Sequence, residues 1–140
     1  MRPNDEPVHL FTVEEANELL PRLRRILAQL QEARQRLIDA QRQLSERFHG
    51  GPRANGHAAP NSEMTRLTTA SEDAQAQIGA AAAAIQELGG ELKDPARGMV
   101  DFRSERDGRV VYLCWLMDEP RVMYWHELEA GYRGRQRLED

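Results

Sequence analysis

Residues 11–30 read FTVEEANELLPRLRRILAQL, and this stretch predicts a long amphipathic helix. Thr12 followed by Glu15 is typical of a capping box, in which each side chain accepts a hydrogen bond from the other residue's backbone N–H. Apolar residues then recur every three or four positions up to about Phe48, which is heptad spacing. They are Val13, Ala16, Leu20, Leu23, Leu27, Leu30, Leu37 and Leu44, with a second stripe at Leu19, Ile26, Ala33 and Ala40. A helix of this extent would be roughly 55 Å long.

Pro21 lies inside this predicted helix. Proline has no backbone N–H, so the carbonyl of Asn17 loses its helical hydrogen bond, and we expect a kink between these two residues. One interpretation is a simple bend that lets the helix wrap its core. The other is that the freed carbonyl and the Asn17 side chain face a ligand or a partner.

A second helix is predicted after a linker. Residues 49–61 are rich in glycine and proline and predict a flexible connection. Heptad spacing then resumes at Met64, Leu67, Ser71, Ala74, Ile78, Ala81, Ile85 and Leu88, and Gly89 with Gly90 forms a stop signal. Two such helices predict an antiparallel, coiled-coil-like hairpin over residues 12–90. Its remaining apolar edges favour a homodimer or packing against the C-terminal part.

Residues 91–140 differ in composition, because they hold six of the eight aromatic residues. Turn signals separate three strand candidates, residues 98–103, 109–117 and 121–126, which predict a small antiparallel meander followed by a tail. The middle candidate is apolar on both faces and needs a cover on each. One cover is the hairpin, and the other is either residues 128–138 or a second subunit. The predicted fold class is therefore α+β, with residues 1–11 as an N-terminal tail.

Composition excludes several classes of protein. A net charge of −4 argues against nucleic-acid binding. No apolar run is long enough for a membrane span, and the first residues lack the apolar region of a signal peptide. The single cysteine, Cys114, excludes an internal disulfide and fits the cytoplasm. No phosphate-binding loop, nucleophile elbow or paired-cysteine motif is present, so the sequence leans against an enzyme.

A group of polar residues in the aromatic-rich part carries the remaining chemistry. Its members are Asp101, Cys114, Glu119, His126, Glu127, Glu129 and Arg135. Imidazole and carboxylate groups together bind divalent transition metals. The metal hypothesis takes His126 as the first ligand and Asp101, Glu119, Glu127, Glu129 and Glu15 as candidate carboxylates. The alternatives are a thiolate nucleophile beside an imidazole, or a hydrogen-bonded His126 at an interface with Cys114 as an inert core thiol.

The alternation of side chains along a strand limits which members of this group can share a face of the sheet. Val122, Tyr124 and His126 would share one face of the third strand, whereas Val100 and Phe102 would share a face that excludes Asp101. On this interpretation, Asp101 and His126 need not lie together.

Several short motifs carry a resemblance to a known family. They are residues 11–21 (FTVEEANELLP), 92–94 (LKD), Gly98, 100–102 (VDF), Gly108, 113–115 (LCW), 119–120 (EP), 125–127 (WHE), 131–132 (GY) and 134–135 (GR). In this order they resemble the uncharacterised bacterial family known as domain of unknown function 2203. Arg103 stands where the family pattern would have proline, and Tyr132 where phenylalanine is usual. The resemblance implies a small cytoplasmic protein and supplies no known catalytic residues.

Two functional hypotheses follow. The first is a homo-oligomeric interaction or scaffold protein, a dimer that docks a protein partner through its hairpin and aromatic sheet. The second is a metal-binding protein or metal-dependent enzyme with its site around His126.

Overall fold

The computed structural model describes residues 8–48 and 62–139. Two long helices, α1 (Val13–Phe48) and α2 (Ser62–Glu87), precede a sheet of five antiparallel strands. The strands are β1 (Glu91–Asp94), β2 (Met99–Arg106), β3 (Arg109–Leu116), β4 (Tyr124–His126) and β5 (Gln136–Arg137), in the spatial order β1-β2-β3-β4-β5. A short 3₁₀-helix, Tyr132–Gly134, lies between β4 and β5. The α+β class and the meander topology are confirmed.

Three strands were predicted and five are present. β1 is short and carries three charged side chains, so it lacks the apolar alternation that marks a strand. β5 has only two residues and forms where the predicted tail returns to pair with β4 through Tyr124 and Arg137. The predicted flexible linker, residues 49–61, and most of the predicted N-terminal tail lie outside the described residues.

The start of α1 has the predicted capping box. Glu15 N donates to Thr12 Oγ1 at 3.0 Å, and Thr12 N donates to Glu15 Oε1 at 3.0 Å. The helix continues through Pro21. The Asn17 side chain, one turn earlier, accepts a hydrogen bond from Val122 N at 2.8 Å, so it joins α1 to the segment before β4.

The chain divides into two compact units. The first comprises Met1–Leu27 and Ala83–Asp140, and the second comprises Ala28–Ala82. In the first unit, the beginning of α1 and the end of α2 pack on one face of the sheet. The buried core there includes Leu20, Leu23, Leu27, Ile85, Val100, Phe102, Leu113, Trp115, Val122 and Trp125. This burial supplies the main hydrophobic stabilisation of the unit.

In the second unit, α1 and α2 run antiparallel to each other. Arg36 hydrogen-bonds to Gln77, and Arg47, further along α1, forms an ion pair with Glu63, near the start of α2. The buried positions of α1 include Leu30, Ala33 and Ala40, and those of α2 include Leu67, Ser71 and Ala74. Both predicted stripes of α1 therefore contribute buried residues.

The second face of the sheet is also buried. Tyr112, Cys114 and Leu116 of β3 lie on it, opposite the face that packs on the helices. Residues after β4 cross this face: Arg135 Nη2 donates to the carbonyl of Cys114 at 3.2 Å, and its guanidinium lies 4.0 Å from the centroid of the Tyr124 ring. Arg135 thus contacts β3 and β4 on this side.

In the described part of the chain, no helix combines the length and apolar character needed to cross a membrane.

Candidate metal centre

Three metal-ligating side chains meet on the second face of the sheet. Asp101 of β2 is the direct partner of Cys114 in β3, and His126 of β4 pairs with Tyr112, two residues before Cys114. Because side chains alternate along a strand, this register places all three on the same face. One ligand atom from each lies within 4.8 Å of the others. All three residues are buried.

Asp101 and His126 lie on the same face of the sheet, which the side-chain alternation assumed from the sequence did not predict. Val122 and Trp125 both lie in the core, which is impossible for two residues three apart in one regular strand. The strand begins only at Tyr124, so the irregular residues before it change the phase of alternation. Trp125 then faces the helices and His126 faces Asp101.

The hydrogen bonds of His126 fix the direction of its ring. Nδ1 lies 2.7 Å from the carbonyl oxygen of Glu127, and a carbonyl only accepts, so Nδ1 donates. Nε2 lies 3.0 Å from Asp101 Oδ2, within hydrogen-bond distance. Metal-binding histidines commonly donate one ring N–H to a carbonyl or carboxylate, which leaves the other nitrogen aimed at the metal. The His126 ring has this arrangement.

The Asp101 carboxyl is only partly satisfied. Among the described residues, Oδ1 is buried without a hydrogen-bond partner. Burial raises the pKa of Asp101, while His126, Cys114 and Lys93 oppose that rise. Lys93 Nζ lies 3.7 Å from Oδ2 and 4.0 Å from the centroid of the Tyr112 ring. The Cys114 thiol, a weak donor, hydrogen-bonds to the Asp101 carboxyl, and no stronger N–H or O–H donor reaches Oδ1 within the described ranges.

Cys114 is a protonated thiol in this environment. Burial first, and the negative charge of Asp101 second, raise its pKa to about 12. Reactive cysteines have lowered pKa values, and a catalytic imidazole needs a free nitrogen facing the thiol. Both nitrogens of His126 already have oxygen partners. A buried thiol with a raised pKa is not an activated nucleophile, so these surroundings argue against the thiolate nucleophile considered from the sequence.

The other predicted ligands lie apart from this cluster. Glu15 belongs to the capping box and lies 3.3 Å from His9 Nε2. Glu119 accepts hydrogen bonds from Arg135 Nη2 at 2.7 Å and from Leu116 N at 2.9 Å.

Two further carboxylates, Glu127 and Glu129, have other surroundings. Glu127 forms an ion pair with Arg109, and that pairing lowers the pKa of Glu127. Glu129 is exposed. Of the six candidate ligands, the structure therefore brings together only Asp101 and His126.

Sequence reasoning set Cys114 aside because it lies in an apolar strand. Apolar neighbours indicate burial and do not show which face a residue occupies. The signal that identifies Cys114 is its alternation with Leu113 and Trp115, both core-facing, which sends it to the opposite face. The position of Lys93 over Tyr112 had no sequence signal, because β1 was not predicted.

The fold and site define an α+β protein with a buried aspartate, cysteine and histidine cluster on the sheet face remote from its helices. The chain belongs to the family described as uncharacterized conserved protein (DUF2203), whose model matches residues 9–138. The resemblance found in the short motifs is thereby confirmed. Comparisons with curated proteins and with solved structures give no match.

Proposed function

We propose that the protein binds one divalent transition-metal ion, Zn²⁺ or a chemically similar ion, through Asp101, Cys114 and His126. The observation that carries the proposal is the buried Asp101 Oδ1, which has no partner among the described residues and belongs to a cluster of three ligand atoms within 4.8 Å. Zinc bonds to carboxylate oxygen, thiolate sulfur and imidazole nitrogen at about 2.0 to 2.3 Å. Small side-chain adjustments bring the three atoms to one such ion.

The charges of the ligand set suit a divalent ion. A Zn²⁺ ion, one carboxylate, one thiolate and a neutral imidazole sum to zero. Three protein ligands leave a coordination position open, as in catalytic zinc sites. A bound ion would act as a Lewis acid at that position. The proposal therefore corresponds to the metal-dependent alternative that the sequence analysis left open.

Metal-free protein should bind about one equivalent of Zn²⁺. Cys114→Ser should weaken that binding about 100-fold, because it removes the soft ligand while leaving a side chain of similar size. His126→Gln should have a comparable effect. Competition titration against a chromogenic chelator measures both affinities, and circular dichroism verifies that the variants fold.

The matched control is Glu129→Gln, which removes a predicted carboxylate ligand that lies outside the cluster. It should bind Zn²⁺ as the parent does. The proposal is contradicted if the parent binds no stoichiometric metal, or if folded Cys114→Ser retains the parent affinity.

The cytoplasm is the compartment that we propose. Cys114 is the only cysteine, and it is a free thiol. A reducing compartment keeps such a thiol available to a metal.

A second candidate function is self-association as a scaffold through the second compact unit. The heptad positions Leu37 and Leu44 of α1 and Ile78 of α2 are only half-buried, and Ile38 is 44% exposed. Apolar residues at this spacing favour a second copy of the same helix as partner. These residues support a homodimer, to which a further protein partner would dock.

Ile38→Asp should convert a dimer into a monomer in analytical ultracentrifugation, because a buried carboxylate at the interface has no partner. Gln29→Asp is the matched control, since it adds the same charge nine residues away, on the opposite side of α1. A parent protein that is monomeric at all concentrations would count against self-association. If Ile38→Asp and Gln29→Asp dissociated the dimer to the same extent, that result would also count against self-association through this surface.

A further inference from the structure

A second site lies within the first compact unit, on the side of the sheet that packs on α1. A cavity of about 400 Å³ opens there between the first turns of α1 and residues 121–139. Three arginines, Arg106, Arg121 and Arg137, line it. Its one acidic lining residue is Glu139. The cavity therefore carries an excess of positive charge although the whole chain is acidic.

The guanidinium groups of Arg106 and Arg121 are available for a ligand, whereas that of Arg137 lies 6.0 Å from the centroid of the Tyr124 ring, on the face of the sheet that holds Cys114. Three arginines of the sheet region form ion pairs: Arg103 with Glu91, Arg109 with Glu127 and Arg135 with Glu119. Within residues 8–48 and 62–139, no carboxylate forms an ion pair with Arg106, Arg121 or Arg137. The contact of Arg106 is with the Trp125 ring, whose centroid lies 4.9 Å from its guanidinium carbon. Unpaired guanidinium groups around one cavity attract a planar anion such as a carboxylate.

The floor of the cavity is apolar. It includes Val13, Val122 and Leu138, and Val122 is part of the buried core. A neighbouring cavity of about 350 Å³ shares Val13, Arg106 and Leu138 with the first. It adds the apolar residues Leu10, Phe11, Val111 and Leu113 and the polar residues Thr12, Ser104 and Glu105. The two cavities together present a cationic mouth beside an extension whose apolar part is formed by Leu10, Phe11, Val111 and Leu113.

Asn17 holds the wall of this site in place. The hydrogen bond from Val122 N to Asn17 Oδ1, 2.8 Å long, fixes the segment that carries Arg121 against α1. Leu138 N donates to the carbonyl of Met123 at 2.8 Å and fixes the opposite wall in the same way. The sequence interpretation that Asn17 serves a ligand is consistent with this position, since Asn17 also lines the cavity.

We infer that this site binds a small amphipathic anion, an aliphatic chain that carries one carboxylate. The carboxylate lies between Arg106 and Arg121, and the chain extends over Leu138 into the neighbouring cavity. Such a ligand matches both halves of the site, because a head group alone leaves the apolar extension empty and a chain alone leaves the guanidinium groups unpaired. The inference is independent of the metal centre, which lies on the other face of the sheet.

Decanoate, kept below its micelle concentration, is the probe that tests this inference. Isothermal titration calorimetry should give one site per chain. Charge-assisted hydrogen bonds contribute about 1.5 to 3 kcal/mol each, so Arg106→Gln and Arg121→Gln should each weaken binding about 10-fold or more. Decan-1-ol and acetate should both bind at least about 10-fold more weakly than decanoate.

Arg133→Gln is the matched control, because it removes the same charge from an exposed residue outside both cavities. It should leave decanoate binding unchanged, as should the metal-site variant Cys114→Ser. Absence of saturable binding overturns the inference. Equal binding of decan-1-ol, equal binding of acetate, or an effect of Arg133→Gln as large as that of Arg121→Gln would overturn it too.

Discussion

Asp101→Ala should lower the free energy of unfolding of the metal-free protein by about 3 to 5 kcal/mol, because it removes one partner of a buried, hydrogen-bonded pair. His126 is 1% exposed and would lose the carboxylate that lies within hydrogen-bond distance of its Nε2. Urea denaturation of parent and variant in the presence of a chelator measures the difference. Asp73→Ala, at an exposed position of α2, should change stability by no more than about 0.5 kcal/mol.

The double variant Asp101→Leu with His126→Phe separates stability from function. Apolar residues of similar volume often replace a buried ion pair without loss of stability, because the cost of desolvating two polar groups disappears. We expect the double variant to lie within about 1 kcal/mol of the parent and to bind no Zn²⁺. A double variant as unstable as Asp101→Ala would show that the pair is required for folding itself, and it would remove the argument that the cluster is kept for a ligand.

The helical part of the fold was predictable because its signals are local. The capping box requires only Thr12 and Glu15, and burial in the described part of α2 follows the predicted heptad through Leu67, Ala74 and Ile85. The sheet was less predictable. β1 has the sequence ELKD, and it forms because β2 offers a partner to it, which depends on tertiary contacts.

The candidate site was also only partly predictable, because its geometry depends on tertiary contacts. Asp101 and His126 were identified by residue type, whereas their contact depends on the register that pairs β2 with β3 and β3 with β4. Register is a long-range property, and one irregular residue shifts every following side chain to the other face. Val122 and Met123 lie before β4 in this irregular conformation, which explains why the side-chain alternation assumed from the sequence was wrong.

Native, metal-free protein should react with a thiol-specific disulfide reagent at least about 1000-fold more slowly than the denatured chain at about pH 8. The pKa of Cys114 rises from 9.0 to about 12 on burial, so the thiolate fraction at that pH falls by about this factor, and the thiolate is the reacting species. Absorbance of the released thiolate in native buffer and in guanidinium chloride measures both rates.

The same experiment decides between the two roles of Cys114. A buried thiol that a metal deprotonates on binding is inert in the metal-free fold and becomes reactive only through unfolding. Slow modification that accelerates in parallel with unfolding, as denaturant is added, is therefore the expected result. Fast modification of the folded, metal-free chain would show a thiolate stabilised by the native structure. The Arg135 guanidinium opposes the rise that burial causes in the pKa of the Cys114 thiol, and it is the positive charge that would hold such a thiolate. That result would favour covalent chemistry over metal binding.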